Sequence, residues 1–195
     1  MEALIERIKK DGVVRQDDVL KVDSFLNHQV DVELLDKIGK EFYEYFKNSG
    51  ITKILTIEAS GIAIAMATAR YFKLPFVFAK KTDSQNLDRE VYSESVFSYT
   101  RKMDYRIRIS KNYLSAEDRV LILDDFLAQG NALVGLIGLV RQAGAKTAGI
   151  GVVIEKGFQN GGDMFRNMGY DIHSLVIVDS LTDGKIVFRG EKYGL

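Results

Sequence analysis

Apolar positions recur along this chain in two alternating rhythms, one helical and one extended. Leu4, Ile5 and Ile8 share one face of a short amphipathic helix that Gly12 ends. Residues 30–46 repeat that pattern at greater length: Leu34, Leu35, Ile38, Phe42 and Phe46 fall on one face, Asp31 can cap the first turn, and Gly50 follows the last. The rhythm then changes. Residues 51–57 read as a buried strand, 61–72 as an Ala-rich helix and 76–79 as a second short strand, which together make one βαβ unit. Residues 80–95 are polar, charged and without period, as in a surface loop. Two antiparallel strands follow, at 96–99 and 105–109. Alternation resumes with a strand at 119–123, a helix at 131–143 that Gly144 closes, a strand at 147–154, a helix at 158–168 and late strands at 172–178 and 185–188. The pattern predicts an α/β fold: a central, mainly parallel twisted sheet with helices on both faces, and a small cap, or hood, built from the terminal segments, about 1–30 and 155–195.

Composition narrows the picture. A chain of 195 residues supports one substantial core, so a single domain is expected across 1–195. With 27 basic and 27 acidic residues the net charge is zero, which argues against nucleic acid or an anionic membrane as partner and makes any anion site local. Cysteine is absent, excluding disulfides, thiolate metal sites and cysteine catalysis. No apolar run approaches the roughly 20 residues of a membrane helix, and a cytoplasmic protein is expected. The two histidines, His28 and His173, read as surface or structural residues, so no general base stands out.

The chemistry concentrates in Val120-Leu121-Ile122-Leu123-Asp124-Asp125-Phe126-Leu127-Ala128-Gln129-Gly130-Asn131-Ala132. An apolar strand delivers two adjacent carboxylates to a sheet edge, then a loop of small residues enters a helix. Such a loop exposes successive backbone N–H groups at a helix N-terminus and suits a phosphate dianion. Asp124 and Asp125 are acceptors beside it, matched to a pair of ribose hydroxyls rather than to a second phosphate. Thr56-Ile57-Glu58-Ala59-Ser60-Gly61-Ile62 leaves its own strand through small residues and offers a second anion cradle.

The first of these segments resembles the signature of the type I phosphoribosyltransferases, which bind phosphoribosyl diphosphate (PRPP): four apolar residues, two acids, two apolar residues, then Ala-Thr-Gly-Gly-Thr. Ala128 and Gly130 are kept, whereas Gln129, Asn131 and Ala132 stand where the family often has Thr, Gly and Thr. Two hydroxyl donors are thereby replaced, and backbone N–H groups with the amides of Gln129 and Asn131 are expected to take over. The resemblance implies PRPP binding by Ala128 to Ala132, and a pyrophosphate loop at Ala59, Ser60 and Gly61, where family members often have a non-proline cis peptide. It implies Mg²⁺ bound with PRPP, no protein metal cage, and Asp124, Asp125 and Lys81 as the catalytic set. Lys80 and Lys81 end a strand; in the family such a lysine often reaches a neighbouring subunit's pyrophosphate, so a homodimer is expected. Residues 80–99 occupy the place of the family's mobile loop, whose closure would keep water from an oxocarbenium-like centre, with Ser98 and Tyr99 contacting pyrophosphate.

Residues 19–31 and 153–158 resemble the base-recognising parts of the family's bacterial branch that acts on xanthine in purine salvage, and by that resemblance Leu20, Asn27 and Lys156 contact xanthine. Their chemistry agrees. An ammonium at a strand end can donate to a 6-oxo group and is poorly matched to a 6-amino group, while Asn27 can donate and accept at the 2-position and N3. Phe126 or Phe158 could stack on the base. A guanine or hypoxanthine transferase and a non-catalytic PRPP-sensing regulator are the alternatives.

Overall fold

Strands that are apolar on both faces must be covered on both faces, and the computed structural model, which describes residues 1–15, 19–81, 90–98, 103–182 and 184–190, meets that demand. The chain opens with helix α1 (Glu2–Asp11), strands β1 (Val13–Arg15) and β2 (Val19–Lys21) and a single π-helical turn (Asp23–Asn27). Helix α2 (Val32–Phe46), strand β3 (Lys53–Ile57), helix α3 (Ser60–Phe72) and strand β4 (Phe76–Ala79) follow, then β5 (Val91–Ser98) and β6 (Met103–Ser110). The second half comprises β7 (Arg119–Leu127), α4 (Asn131–Gln142), β8 (Lys146–Lys156), α5 (Gly161–Asn167), β9 (Ile172–Ser180) and β10 (Val187–Phe188).

Six strands form the central sheet in the order β10-β9-β8-β7-β3-β4, all parallel except β10, which pairs antiparallel with β9. Successive residues of β7 enter different cores. Leu121 and Leu123 join Ile54, Val153 and Val176 beneath α1, α2 and α3, whereas Val120 and Ile122 join Leu55, Ile150 and Val152 beneath α4 and the β5–β6 hairpin. Asp31 caps α2 as its sequence foretells, accepting from the N–H groups of Glu33 at 3.1 Å and Leu34 at 3.0 Å. The two ends of the chain pack together: the Met1 amino group donates to the Leu175 carbonyl at 2.8 Å, and Leu20, Val22, Phe25 and Leu26 share one cluster with Val178, Leu181 and Phe188.

Four differences from the sequence reading have physical reasons. The loop expected over 80–95 gives way at Val91 to β5, paired with β6 from Val91↔Ser110 onward. Polar residues in 91–95 hide this strand, because the hairpin is covered on one side only. There Val96 and Ile107 crowd Gly135 of α4, and the Gln142 amide bonds both backbone groups of Ser93, at 3.2 and 2.9 Å. Residues 82–89 and 99, which the expected loop and strand include, lie outside the described residues. β7 runs past its apolar run to Leu127, held by the pairs Asp124↔Val152 and Phe126↔Ile154, so both acids sit on the strand and not in a following loop. α5 is shorter than the helix expected at 158–168, since Gly157 is drawn to Val178 and Gln159 turns back on Lys156 before the helix starts. Finally, the short β1–β2 pair and the π turn escaped the pattern altogether, being too brief and too charged to show a period.

Candidate active site

The order of strands reverses between β3 and β7: β3 leads through α3 to β4 on one side, and β7 leads through α4 to β8 on the other. Loops leaving the carboxyl ends of these neighbours therefore diverge, and the crevice between them is where open α/β sheets take ligands.

One wall is the exit from β3. The Glu58–Ala59 peptide is cis, and α3 begins at Ser60 without a side-chain cap, leaving its first N–H groups for another acceptor. Glu58 joins two strands, donating its N–H to the Ala79 carbonyl at 3.1 Å and accepting from the N–H of Lys81. Thr56 donates from its buried hydroxyl to the Leu123 carbonyl at 2.7 Å, tying β3 to β7. A Cβ on Gly61 would stand 1.9 Å from that hydroxyl oxygen. Gly61→Ala must displace either the helix start or the Thr56 bond, and it should lower Tm by the few degrees that about 1–3 kcal/mol of overpacking produces. A thermal scan matching the unsubstituted protein would contradict this close approach.

The other wall is β7. Asp124 is 4% exposed and accepts from the N–H of Asp125 at 3.0 Å. Burial, reinforced by the negative charge of Asp125, pushes the Asp124 carboxyl well above the ordinary carboxylate range, and the charge of Lys81 pulls it part of the way back. Tyr105 of β6 is raised too, by burial first and then by Asp124. The Lys81 ammonium stands 5.5 Å over the Tyr105 ring. Strand ends and hairpin thus gather Glu58, Lys81, Tyr105 and the acid pair around one crevice. Lys80 is held by backbone bonds to Arg108, 2.9 Å in each direction.

Beyond β7, Gly130 adopts φ +88° and caps α4, a conformation that other residues resist, and any Cβ there would meet the Phe165 ring at 2.5 Å. No side chain caps α4, which leaves its first N–H groups for another acceptor. The Asn131 amide donates to the Phe97 carbonyl at 3.0 Å, which fastens the hairpin to the start of α4 and leaves its second amide hydrogen for another acceptor. Gln129 is exposed, Ala132 is half-buried, and the Ala128 carbonyl accepts from the Gly161 N–H at 3.1 Å, which braces the loop on α5.

At the end of β8, next to β7, Lys156 is half-buried and preceded by Glu155, 2% exposed. Arg166 grips Glu155 with two bonds of 2.8 and 2.6 Å, and the Ser174 hydroxyl donates to the same carboxylate. Burial alone would raise Glu155, but the bonds from Arg166 and Ser174 overcome it and hold the acid below its usual range. Leu20 is a core residue at 6% exposure; Asn27 ends the π turn with its Oδ1 buried and, among the described residues, without a hydrogen-bond partner. Of the aromatics, Phe126 packs on the core while Phe158 is exposed. His173 stacks on Tyr45 at 4.0 Å among aromatic neighbours on α2, and His28 is exposed. Tyr105 and Arg166 carry no mark in the sequence, because only the fold brings them to these strand ends. Tyr99 lies outside the described residues.

Comparison with known proteins agrees with this geometry. The family described as "Phosphoribosyl transferase domain" matches residues 21–167. A "Xanthine phosphoribosyltransferase" from Lachnoclostridium phytofermentans is 58% identical over 98% of this chain and 100% of its own length. Another, from Ruminiclostridium cellulolyticum, is 56% identical over 96% and 99%. Among solved structures, the adenine phosphoribosyltransferase of Giardia lamblia with 9-deazaadenine superposes with a TM-score of 0.74 at 23% identity, covering 89% of this chain and 97% of that one, a likeness of fold.

Proposed function

The chain belongs to the phosphoribosyltransferase family, and on that premise we propose that it transfers the 5-phosphoribosyl group of PRPP to N9 of xanthine, releasing diphosphate and giving xanthosine 5′-monophosphate in purine salvage. One observation carries the reading: buried Asp124 beside half-buried Asp125, the Gly130-led loop and Lys81 lie at the sheet's switch point, in a chain whose relatives, 51–58% identical over nearly its whole length, bear that activity in their names.

The cradle at Ala128 to Ala132 takes the 5′-phosphate through backbone N–H groups. Asp124 and Asp125 accept from the ribose hydroxyls and favour positive charge at C1 as its bond to diphosphate breaks and the N9 electron pair enters from the opposite face. The Ala59–Gly61 loop and Lys81 take the leaving diphosphate. One or two carboxylates with substrate phosphates is a usual Mg²⁺ donor set, and the acid pair fits it. Bound with PRPP, Mg²⁺ would supply charge neutralisation at the diphosphate. The terminal segments act as a hood over the base, residues 80–99 as a lid against water, and the enzyme works as a cytoplasmic homodimer. Among the described residues no helix is long and apolar enough to cross a membrane.

The test is nucleotide formation from PRPP and Mg²⁺ with xanthine, guanine, hypoxanthine and adenine in turn. Xanthine should give the highest kcat/KM; no product from any base sinks the enzyme reading and leaves a PRPP-binding regulator. Lys156→Ala should reorder the bases, narrowing the preference for oxopurines over adenine at least tenfold, the scale of one lost specific bond. An unchanged order would remove Lys156 from the base site.

A further inference from the structure

Lys81 is assigned above to the leaving diphosphate, yet it is exposed and stands just beyond the end of edge strand β4. A lysine tail is long, flexible and strongly hydrated, and ordering it opposes any contact it makes. Two features hold this one. Glu58, which opens the Ala59–Gly61 loop, accepts a hydrogen bond from the Lys81 N–H and fixes the backbone. The ammonium then lies 5.5 Å over the ring of Tyr105. Register explains that meeting. Lys80 and Arg108 form an antiparallel bridge, so continuing the ladder sets Lys81 opposite Ile107, and Tyr105 is the diagonal neighbour along β6 on the same face. The ring is itself held, because Tyr105 pairs with buried Val96 across the hairpin and packs against the core beneath α4.

We propose that Tyr105 is a positioning residue whose ring face holds the Lys81 ammonium at the crevice for the leaving diphosphate. The inference rests on the proposed transferase function and deepens it. An aromatic face attracts a cation through its quadrupole and leaves all three N–H donors free for phosphate oxygens, whereas a carboxylate partner would occupy them. One contact thus ties Lys81 to the loop after β3, and the other ties it to the hairpin. The held charge also reaches the acid pair: burial raises the Asp124 carboxyl, and Lys81 opposes that rise.

The test measures affinity for diphosphate with Mg²⁺ in the unsubstituted protein and in Tyr105→Phe, Tyr105→Leu and Lys81→Met. Tyr105→Phe keeps the ring and should bind diphosphate within about twofold of the original. Tyr105→Leu should bind it about three- to tenfold more weakly and raise KM for PRPP by a similar factor, the scale of a cation held over a partly desolvated ring, while KM for xanthine stays within about twofold. In the Lys81→Met background Tyr105→Leu should change nothing further, because the ring acts only through the ammonium. Unchanged diphosphate affinity in Tyr105→Leu overturns the proposal, and so does a full effect in the absence of the lysine. Equal weakness of Tyr105→Phe and Tyr105→Leu overturns it as well, by assigning the effect to the hydroxyl. A further measurement does not depend on the folding of Tyr105→Leu: fluorinating the ring of Tyr105→Phe withdraws electron density from its face with little change of shape. Diphosphate should again bind more weakly, and unchanged binding sinks the assignment. Failure of the unsubstituted protein to make nucleotide from PRPP and xanthine would instead defeat the parent reading.

Discussion

Asp125→Asn should lower kcat/KM for PRPP by about 10²–10³ with every purine acceptor alike, the scale of losing one preorganised electrostatic contact to a developing charge. The loss is independent of the base because the acid pair faces the sugar, and steady-state rates with xanthine and guanine should fall by the same factor. A loss confined to one base would place Asp125 outside the ribose site. Asp124→Asn should be as inactive, yet more stable. The folded state raises the Asp124 pKa above its unfolded value, so between those two values the folded chain binds the extra proton and stability falls as pH rises. At neutral pH the unfolded chain carries this carboxyl ionised and the fold disfavours that charge, a penalty that a neutral amide removes. A Tm higher by about 2–4 °C is expected, the shift produced by about 1 kcal/mol in a chain of this size. For the same reason, kcat/KM for PRPP in the unsubstituted protein should decline on acidification at a pH above the ordinary carboxylate range.

Arg166→Met should have the largest effect on stability, about 3–5 kcal/mol, because it strands Glu155 as a buried, unpaired charge. The corresponding drop in Tm is about 10 °C. Its pH dependence carries a signature. In the unsubstituted protein Glu155 lies below its usual pKa, so its stabilising contribution is present above the ordinary carboxylate pKa and is lost as pH falls. Without Arg166 burial dominates, the folded pKa rises, and the variant should recover stability as pH falls toward about 5. Melting curves across that interval should therefore slope in opposite senses for the two proteins, and parallel slopes would refute the pairing. Glu155→Leu in the Arg166→Met background should restore most of the loss, as apolar replacement of buried ion pairs often does.

What could be read from the chain alone was whatever depends on neighbours in sequence. The run from Val120 to Ala132 places strand, acids, small loop and helix within thirteen consecutive positions, and each signal is local. The Asp31 cap and the apolar face of α2 are local in the same way. Boundaries failed where pairing overrides composition: two carboxylates look like a strand's end until the long partner β8 carries the ladder past them. Convergence failed for a different reason. Nothing near Asn131 in sequence announces Phe97, 34 residues earlier, and Lys81 meets Tyr105 only because β4 and the hairpin join at Lys80 and Arg108.

The insertion of β7 beside β3, rather than of β4's successor beside β4, also bears on how the chain is made. Thr56 and Leu123, whose bond closes the crevice, are 67 residues apart. While a ribosome is still delivering the intervening chain, β3 and β4 can pair, yet the inner edge of β3 stays open and apolar until β7 emerges. That interval is the nascent protein's period of greatest exposure to mispairing with other chains. PRPP cannot shorten it, because the cradle at Gly130 is synthesised after the strand that must first fill the gap.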